Sequence, residues 1–497
     1  MLRQLSLTNF KPFGDRQVIP VAPLTLIFGA NSSGKSSIIQ SLLLGQHACE
    51  TGSFEASHIR AGGEAMDLGG YRQYVHQHDT SRVVELGIEW SPDLGIESAL
   101  ARGQVKFKTA RADYHIGINR NTGSTDVRQP GVLEFKFSVD GVPILELTST
   151  EEQVLRPTRV NLVAGKTDLF ELGPSVFGSD KGSSGGAKLA SRLRFRMKGL
   201  IPSTCDRVED LLLWRKSSSD ARLEEFRESF SEKLMDEHNL NNYNQPDWLM
   251  NLSCFVEDMA SDLADLFRQI SYLGPLRMMP SRYLTELDAG NPNWNAGGGC
   301  AWEQLKNKSE VRNAVNKGLS VLEMPYEIKV RELVEAGDPT AQKLISLSLI
   351  DPRSQISLSH RDVGIGVSQV IPVIATLAGM KRHLIAIEQP EIHLHPAAQA
   401  KLGDLFIESA LGPNRNTLLL ETHSEHLILR ILRRVRETSE GNLPSGAAPV
   451  KPDDMSVVFV DQKSTDSVVH QLPVTPDGDF TVPWPGGFFA ERLQDLP

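Results

Sequence analysis

The stretch LTLIFGANSSGKSSIIQSLLL, residues 24–44, decides the fold. The apolar run LTLIFG is typical of a buried strand, and SIIQSLLL has the apolar spacing of a helix. Between them, Gly29 to Ser36 satisfies the pattern G-x4-G-K-[ST]. Its glycines permit a tight loop whose backbone N–H groups face phosphate oxygens, while Lys35 can neutralise phosphates and the Ser36 hydroxyl can ligate Mg²⁺. The stretch therefore predicts a nucleotide-binding strand–loop–helix unit.

A second group of motifs lies between residues 361 and 426. The segment DVGIGVSQ precedes an apolar helical stretch, so it is either an anion-binding loop at a helix N-terminus or an ordinary glycine turn with an N-cap. The apolar run LIAI then ends at Glu388, and TLLLET delivers His423. Because open α/β sheets bind ligands at the carboxyl ends of their strands, we expect Glu388 and His423 to lie at one edge.

The density of histidines in this region also suggests other chemistries. A metal site would use ligands among four histidines, but an HxH pair with distant partners lacks zinc-finger spacing. A serine hydrolase is disfavoured because no G-x-S-x-G elbow is present. The histidines concerned are His393, His395, His423 and His426.

Composition limits the class of protein. The chain has 497 residues, 40% hydrophobic and 23% charged, which excludes wholesale disorder and leaves room for about three domains. Its longest apolar stretch, Val370–Met380, is too short to span a bilayer, and its start lacks the features of a signal peptide. The four cysteines are scattered and the net charge is −10, so we expect a cytoplasmic protein without a disulfide framework, a membrane partner or overall basic character.

The chain divides by pattern into four segments. Alternating apolar and polar runs between Arg82 and Val163 predict an antiparallel sheet, and the Gly/Ser-rich run 173–186 predicts a mobile loop. Residues from about 188 to 269 then have the apolar spacing of helices. The predicted domains are 1–187 and 271–440 as the two halves of one nucleotide-binding head, 188–270 as an inserted helical subdomain, and 441–497 as a C-terminal extension.

Taken together, the motifs resemble an ABC-type ATPase head of the branch shared by the OLD (overcoming-lysogeny-defect), Rad50 and SMC-like enzymes. The resemblance is close over Met1–Ile39 and Arg361–Leu432 and rests on pattern alone between them. YLGPLRMMPSRY and the ending WPGGFFAERLQDL more specifically resemble stand-alone bacterial predicted AAA ATPases with a short C-terminal extension. The resemblance implies an α/β fold: an ABC-ATPase head with a mixed or parallel core sheet, an antiparallel β subdomain and the helical insertion.

The resemblance also implies roles for individual residues, with ATP and Mg²⁺ as ligands. Glu388 ends Walker B and holds Mg²⁺ together with Ser36, His393–Pro396 is the D-loop, and His423 is the switch histidine. A glutamine-loop equivalent is open between Gln73, His76 and His78. The Walker A and signature residues are Gly29, Asn31, Ser32, Ser33, Gly34, Lys35, Ser36, Ser37, Gly366, Ser368 and Gln369.

One departure from the family pattern concerns catalysis. Most ABC heads end the Walker B strand in Asp-Glu, whereas this chain has Glu388-Gln389. Gln389 has no proton-accepting carboxylate and could only orient a water, so Glu391 is the candidate general base. The alternative is that Glu391 merely caps the following loop. Either arrangement predicts a slow, switch-like ATPase.

Partners follow from the same resemblance. Each nucleotide of an ABC pair lies between Walker A of one subunit and the signature loop of the other, which implies a homodimer or a higher even oligomer. The 74 residues after His423 are too few for a TOPRIM nuclease domain, so we expect a separate effector, a nuclease, from a neighbouring gene in anti-phage defence.

The alternative is a Rad50/SMC-like ATPase in DNA maintenance. The 333 residues between Lys35 and Ser368 lack the sustained heptads of long-arm machines, and a transporter subunit is disfavoured by the long insert. The arginine run from Arg430 to Arg436 is either a DNA contact or a solvated helix face.

Overall fold

The computed structural model describes residues 1–57, 59–63, 66–91, 107–119, 129–151, 154–160, 195–203, 247–279, 283–284, 293–333 and 344–485. The described chain forms two compact units. The first comprises Met1–His47, Ala56–Asp79 and Arg268–Pro497; the second comprises Ala48–Glu55 and Thr80–Phe267.

The described strands and helices are numbered in chain order. The strands are β1 (Leu2–Thr8), β2 (Gln17–Pro20), β3 (Leu24–Gly29), β4 (Val84–Trp90), β5 (Ala110–Ile118), β6 (Pro130–Val139), β7 (Val142–Glu151), β8 (Val154–Val160), β9 (Phe195–Lys198), β10 (Ile201–Ser203), β11 (Ile270–Leu273), β12 (Tyr283–Leu284), β13 (Glu327–Leu333), β14 (Leu344–Ile350), β15 (Ser357–Ser359), β16 (Leu384–Glu388), β17 (Thr417–Glu421), β18 (Met455–Lys463) and β19 (Asp466–Gln471). The helices are α1 (Lys35–Thr51), α2 (Tyr71–Tyr74), α3 (Asp247–Arg268), α4 (Gly299–Asn307), α5 (Ser309–Val321), α6 (Ile365–Gly379), α7 (Pro396–Leu411) and α8 (Glu425–Ser439).

A mainly parallel sheet forms the core of the first unit. Its described strands have the order β11-β16-β17-β3-β18-β19, parallel from β11 to β18 with β19 antiparallel at the edge. Every residue of β3, β16 and β17 is buried, which explains their continuous apolar runs. In register, Glu421 is paired with Glu388 on one side and with Ile27 on the other. The carboxyl ends of these strands therefore meet at one edge.

Helices and a smaller sheet complete the first unit. Apolar residues of α6, α7 and α8 join those of β3, β16 and β17 in one buried cluster, and α6 also packs against α4 and α5. β12, β14, β13 and β15 form a separate antiparallel sheet. Packing on one apolar cluster therefore fixes α6 relative to the core strands.

The second unit is built on an antiparallel sheet with the order β10-β9-β8-β7-β6-β5-β4. Its buried face is aromatic: Tyr114 and Phe135 lie 5.2 Å apart between ring centroids, and Phe137 contacts Phe255 of α3 at 5.8 Å. The alternation predicted between Arg82 and Val163 is confirmed, and so is the mixed α/β fold with a parallel core and an antiparallel β part.

Other expectations fall on parts of the chain that are not described. Of the predicted helical subdomain, α3 is described, whereas residues 204–246 lie outside the described residues, as do the Gly/Ser-rich run 173–186 and residues 486–497. The predicted domain boundaries stay predictions. In the described part of the chain, no helix combines the length and apolar character needed to cross a membrane.

Candidate nucleotide-binding site

Two glycines shape the loop between β3 and α1. Gly29 has a φ of 151°, and a Cβ placed there would lie 2.4 Å from the Val460 carbonyl oxygen. Gly34 has a φ of 100°, and its Cβ would lie 2.5 Å from Pro12 Cγ. Residues with side chains fit neither position, since both the backbone conformation and the space exclude them. The loop thus turns tightly into α1, whose first N–H groups lack partners within the helix.

The loop borders a cavity of about 560 Å³, a size suited to a small-molecule ligand. Residues from the loop, from the segment before β2 and from the ends of β16 and β17 surround it. The lining residues are Lys11, Pro12, Asn31, Ser32, Gly34, Lys35, Ser36, Ser37, Gln40, Gln389, Glu421 and His423.

Lys35 carries the buried positive charge of this cavity. Its Nζ donates to the Ala30 carbonyl oxygen at 2.7 Å and to that of Gly29 at 3.1 Å. Burial lowers the pKa of Lys35, and the carboxylates of Glu421 and Glu388 oppose this effect. The Lys35 ammonium therefore donates to two carbonyl oxygens of the loop, and a phosphate oxygen that enters the cavity can replace them as its acceptor.

Two carboxyl groups face each other at the adjacent strand ends. Burial raises the pKa of Glu388 to about 7, the negative charge of Glu421 adds to this, and a bond donated by the Tyr272 hydroxyl at 2.9 Å opposes it. Burial also raises the pKa of Glu421, while the Ser36 hydroxyl and Lys35 oppose the rise. A metal cation bound between the two carboxyl groups would relieve this repulsion.

The residues present fit Mg²⁺. Ser36 hydrogen-bonds Glu421, whose Oε2 is buried without a hydrogen-bond partner among the described residues. Within the described ranges, no group of three or more His, Cys, Asp or Glu side chains could hold a metal by itself. This is compatible with Mg²⁺, which uses one or two protein ligands and takes the others from phosphates and waters.

The two candidate residues for water activation are placed differently. Gln389 lines the cavity with a φ of 44°, and its backbone N–H donates to the Glu421 carbonyl oxygen at 2.7 Å. Glu391 is buried, and its Oε1 accepts a bond from the His423 backbone N–H at 2.8 Å. Glu391 thus supports the backbone at His423, as a capping role requires, but its Oε2 has no hydrogen-bond partner by geometry among the described residues.

His423 joins the cavity at the end of β17. Its Nε2 is buried and has no hydrogen-bond partner in the described part of the chain. Burial lowers the pKa of His423, and the charge of Lys35 lowers it further. A neutral imidazole with one unsatisfied nitrogen is suited to contact a phosphate or a water that enters the cavity.

The three signature-loop candidates lie outside the cavity lining. Ser368 is completely buried, and its hydroxyl donates to the His360 carbonyl oxygen at 2.5 Å. Gly366 lies against the predicted D-loop, because a Cβ there would be 2.4 Å from the His393 carbonyl oxygen. Gln369 bonds the backbone of Arg277. At the start of α6, Gly364 is open: a Cβ there meets no described atom within 4 Å.

The candidate residues of the D-loop and the glutamine loop do not line the described cavity, and several of them bond the protein backbone. The His395 side chain accepts from the Ala397 N–H at the start of α7. Gln73 and His78 are exposed, whereas His76 is buried with its Nε2 3.0 Å from Asp466 Oδ1. The His76 Nδ1–H donates to the Lys11 carbonyl oxygen at 2.7 Å. None of the three lines the described cavity, but His76 supports the backbone of a residue that does.

Four residues that line the cavity were not predicted from the sequence, and two of them, Glu421 and Lys11, are charged; the other two are Pro12 and Gln40. Glu421 ends an apolar strand as Glu388 does, a signal that was available in the sequence. Lys11 lies in an irregular loop and carries no such signal. Its Nζ donates to Gln40 Oε1 at 2.7 Å, and burial lowers its pKa, opposed by Glu388. The cavity therefore has two lysines rather than one.

The arginine run of α8 is largely paired with acids. Arg434 donates to Asp404 at 2.7 Å and also to Glu437, and Arg433 bonds Glu437 at 2.6 Å. Arg430 lies 3.8 Å from Asp404. These contacts reduce the positive charge that this helix offers to an external phosphate backbone.

Fold and site together define a P-loop nucleotide-binding protein. Family comparisons agree with this class: residues 4–53 match the family described as AAA domain, and residues 297–428 match AAA ATPase domain. Residues 450–497 match a family described as Protein of unknown function (DUF3696). The chain thus matches AAA-type ATPase families in two separate segments. No curated protein matches the sequence.

Similar solved structures are SMC head domains. One, from Thermotoga maritima, is 12% identical with a TM-score of 0.38, covering 95% of this chain and 99% of that one. Another, the head with an extended coiled coil bound to the C-terminal domain of ScpA from Pyrococcus furiosus, is 14% identical with a TM-score of 0.38, covering 95% and 96%. At this level of identity and TM-score, the similarity does not indicate the function of this protein.

Proposed function

We propose that this protein binds ATP with Mg²⁺ and hydrolyses it slowly as a nucleotide-gated switch. One observation carries the proposal: a phosphate-type loop, two lysines, a carboxylate, Gln389 and His423 line a single cavity. Lys35 and Lys11 would neutralise the phosphates, and Ser36, Glu421 and Glu388 would hold the metal. When bound, Mg²⁺ supplies charge neutralisation at the phosphates.

Gln389 and Glu391 divide the task of activating water in this proposal. Gln389 orients the water because its amide reaches the cavity but accepts no proton. Glu391 is the general base in this proposal because burial raises the pKa of its carboxyl group and so increases its basicity, although Glu391 itself lies outside the cavity lining. Glu421 is the competing base, although the Ser36 hydroxyl already engages it.

Turnover of three variants tests this assignment. Glu391→Gln is expected to lower kcat by about 100-fold or more while ATP still binds, and Gln389→Ala by about tenfold. Glu421→Gln should weaken the magnesium dependence instead. Near-normal hydrolysis by Glu391→Gln together with an inactive Gln389→Ala would exclude Glu391 as the base.

We infer that ATP also brings two or more copies together through the start of α6. Gly364 and Ile365 lie at the surface there, and Ile365 is an exposed apolar side chain. A phosphate bound on one subunit can accept bonds from the first N–H groups of α6 on the other. Hydrolysis would remove this bridge and release the pair.

Gly364→Arg tests the association. An arginine at the buried Ser368 would disturb the fold, whereas a side chain at Gly364 enters open space with an unstrained φ of −57°. Gly131→Arg is the matched control, because a Cβ at Gly131 also meets no described atom within 4 Å. Light scattering with Mg²⁺ and ATP should show association of the wild type and of Gly131→Arg but not of Gly364→Arg. An unchanged mass of the wild type would contradict the inference.

The biological role we propose is control of a separate effector, a nuclease, in anti-phage defence. A tagged chain expressed with its neighbouring genes should retain a stoichiometric protein that nucleotide releases or recruits. Recovery of only the homo-oligomer with nucleic acid would instead favour the DNA-maintenance alternative. The paired arginines of α8 weigh against that alternative.

A further inference from the structure

Arg277, in the described segment that follows β11, is a deeply buried cation. Its neighbour Leu276 is 76% exposed, whereas Arg277 is 4% exposed. The guanidinium extends to the carboxyl end of β16, where Nη2 donates to the Glu388 carbonyl oxygen at 2.5 Å and Nη1 to that of Gln389 at 3.0 Å. The side chain thus binds the backbone of Glu388 and Gln389, two residues of the candidate nucleotide site.

The backbone of Arg277 is itself hydrogen-bonded by a side chain of α6. Its N–H donates to Gln369 Oε1 at 3.0 Å, and Gln369 Nε2 donates to the Arg277 carbonyl oxygen at 2.8 Å. Gln369 is buried one turn after the start of α6. The helix start and the end of β16 are therefore joined through a single residue.

Burial of the Arg277 charge costs free energy that a residue with only a packing role would not require. Burying a cation is unfavourable unless it is fully paired, and Arg277 Nε has no partner among the described residues. Glu391 and Glu388 interact with the guanidinium only through their charges, and burial lowers the pKa of Arg277 to about 10, so it stays charged at neutral pH. Its direct bonds to β16 go to two carbonyl oxygens, a use for which the rigid guanidinium fork is suited.

Gln389 needs such support. Its φ of 44° is an unfavourable conformation for a residue with a side chain, and such strain persists only where neighbouring contacts impose it. The bond from Arg277 to its carbonyl and the bond from its own N–H to Glu421 hold the peptide on both sides. Loss of either bond would allow the Gln389 side chain to leave the cavity.

We propose that Arg277 is a positioning residue that holds Gln389 in the cavity and transmits displacements of the start of α6 to the nucleotide site. The inference rests on the proposed ATPase function. A second subunit that contacts α6 would move Gln369, the Arg277 backbone and then Gln389. Hydrolysis would in this way respond to association.

Arg277→Lys tests the positioning role. Lysine keeps the charge but cannot hold two carbonyls in the fork geometry. Arg312→Lys is the matched control, because Arg312 also donates to two carbonyls, those of Leu305 and Lys306, at 2.8 and 3.1 Å. We expect Arg277→Lys to lower kcat by about tenfold to 100-fold with an ATP Kd within about threefold of wild type. Arg312→Lys should change neither.

Gln369→Leu tests the transmission. It removes both bonds to the Arg277 backbone, so it should lower kcat similarly, and the double variant should be no slower than Arg277→Lys, since the two act as one unit. Hydrogen exchange of the nucleotide-free proteins gives a readout that needs no turnover. Exchange over residues 389–394 should rise in both variants and stay unchanged in Arg312→Lys.

The outcomes separate the two proposals. A wild type without ATP turnover would refute the ATPase function, and the exchange data would still decide the role of Arg277. A folded Arg277→Lys with a kcat within about twofold of wild type, additive losses in the double variant, or unchanged exchange over 389–394 would each overturn the inference.

Discussion

Replacing Glu388 by glutamine should make the nucleotide-free protein more stable at alkaline pH. Glu388 is 8% exposed, and burial raises its pKa from 4.5 to about 7. Between these two pH values the folded chain binds more protons than the unfolded chain, so stability falls as the pH rises. The contribution of the protonated Glu388 is complete below pH 4.5 and is lost as the pH rises through about 7.

The size of the effect follows from the same values. A pKa difference of about 2.5 corresponds to about 3–4 kcal/mol, since each pKa unit is about 1.4 kcal/mol. Glutamine has the shape of the protonated carboxyl, and its oxygen can still accept the bond from Tyr272. Glu388→Gln should therefore exceed the wild type in unfolding free energy by up to about 3–4 kcal/mol at pH 8 and by little at pH 4.5.

Urea unfolding in a chelating buffer, followed by circular dichroism from pH 4.5 to 8, measures this difference. Asp477→Asn, on an exposed turn, is the control for removing a carboxylate. The buried Glu391 is common to both proteins, whereas the charge of Glu421 acts on Glu388, so the measured difference includes the loss of their mutual repulsion. Parallel stability profiles of Glu388→Gln and wild type across this range would refute the reasoning.

Other substitutions follow from single contacts. Lys35→Met should abolish binding of a fluorescent ATP analogue, and Lys11→Met should weaken it by about tenfold because one charge-assisted bond is lost; equal Kd values for Lys11→Met and wild type would exclude Lys11 from the site. Gly29→Ala places a Cβ against the Val460 carbonyl oxygen at a φ of 151° and should prevent nucleotide binding. An ATP Kd equal to that of the wild type would contradict this expectation. Trp484→Ala removes edge-on contacts to Phe28, Phe459 and Phe480 and should lower the melting temperature through a loss of about 2–3 kcal/mol; an unchanged melting temperature would show that the aromatic cluster contributes nothing.

Much of this fold could be predicted from local sequence. The phosphate loop is legible because glycine spacing, the following lysine and serine, and the flanking apolar runs act over neighbouring residues. LIAI and TLLLE are recognisable as buried parallel strands, since both faces of such strands must be apolar. The antiparallel sheet of the second unit is predictable from the alternation of apolar and polar residues over 82–163.

The membership of the cavity could be predicted only in part. Lys35, Ser36, Gln389 and His423 lie where their motifs indicate, at strand ends or in the loop. Glu421 enters because the register pairs it with Glu388, and a pairing between strands is a long-range property. Ser368 is directed inward to the His360 carbonyl, although the motif alone is compatible with an outward hydroxyl.

By itself, then, the sequence determined that a phosphate-binding loop joins a buried strand to a helix, because turn chemistry and hydrophobic periodicity act within a few residues. Only the tertiary structure decided which distant groups complete the site. Lys11 and Arg277 reach it from loops with no periodic pattern, and their bonds to Gln40, Glu388 and Gln389 span many residues of chain. Such contacts depend on how the packed elements bring loop ends together, and no local pattern encodes that arrangement.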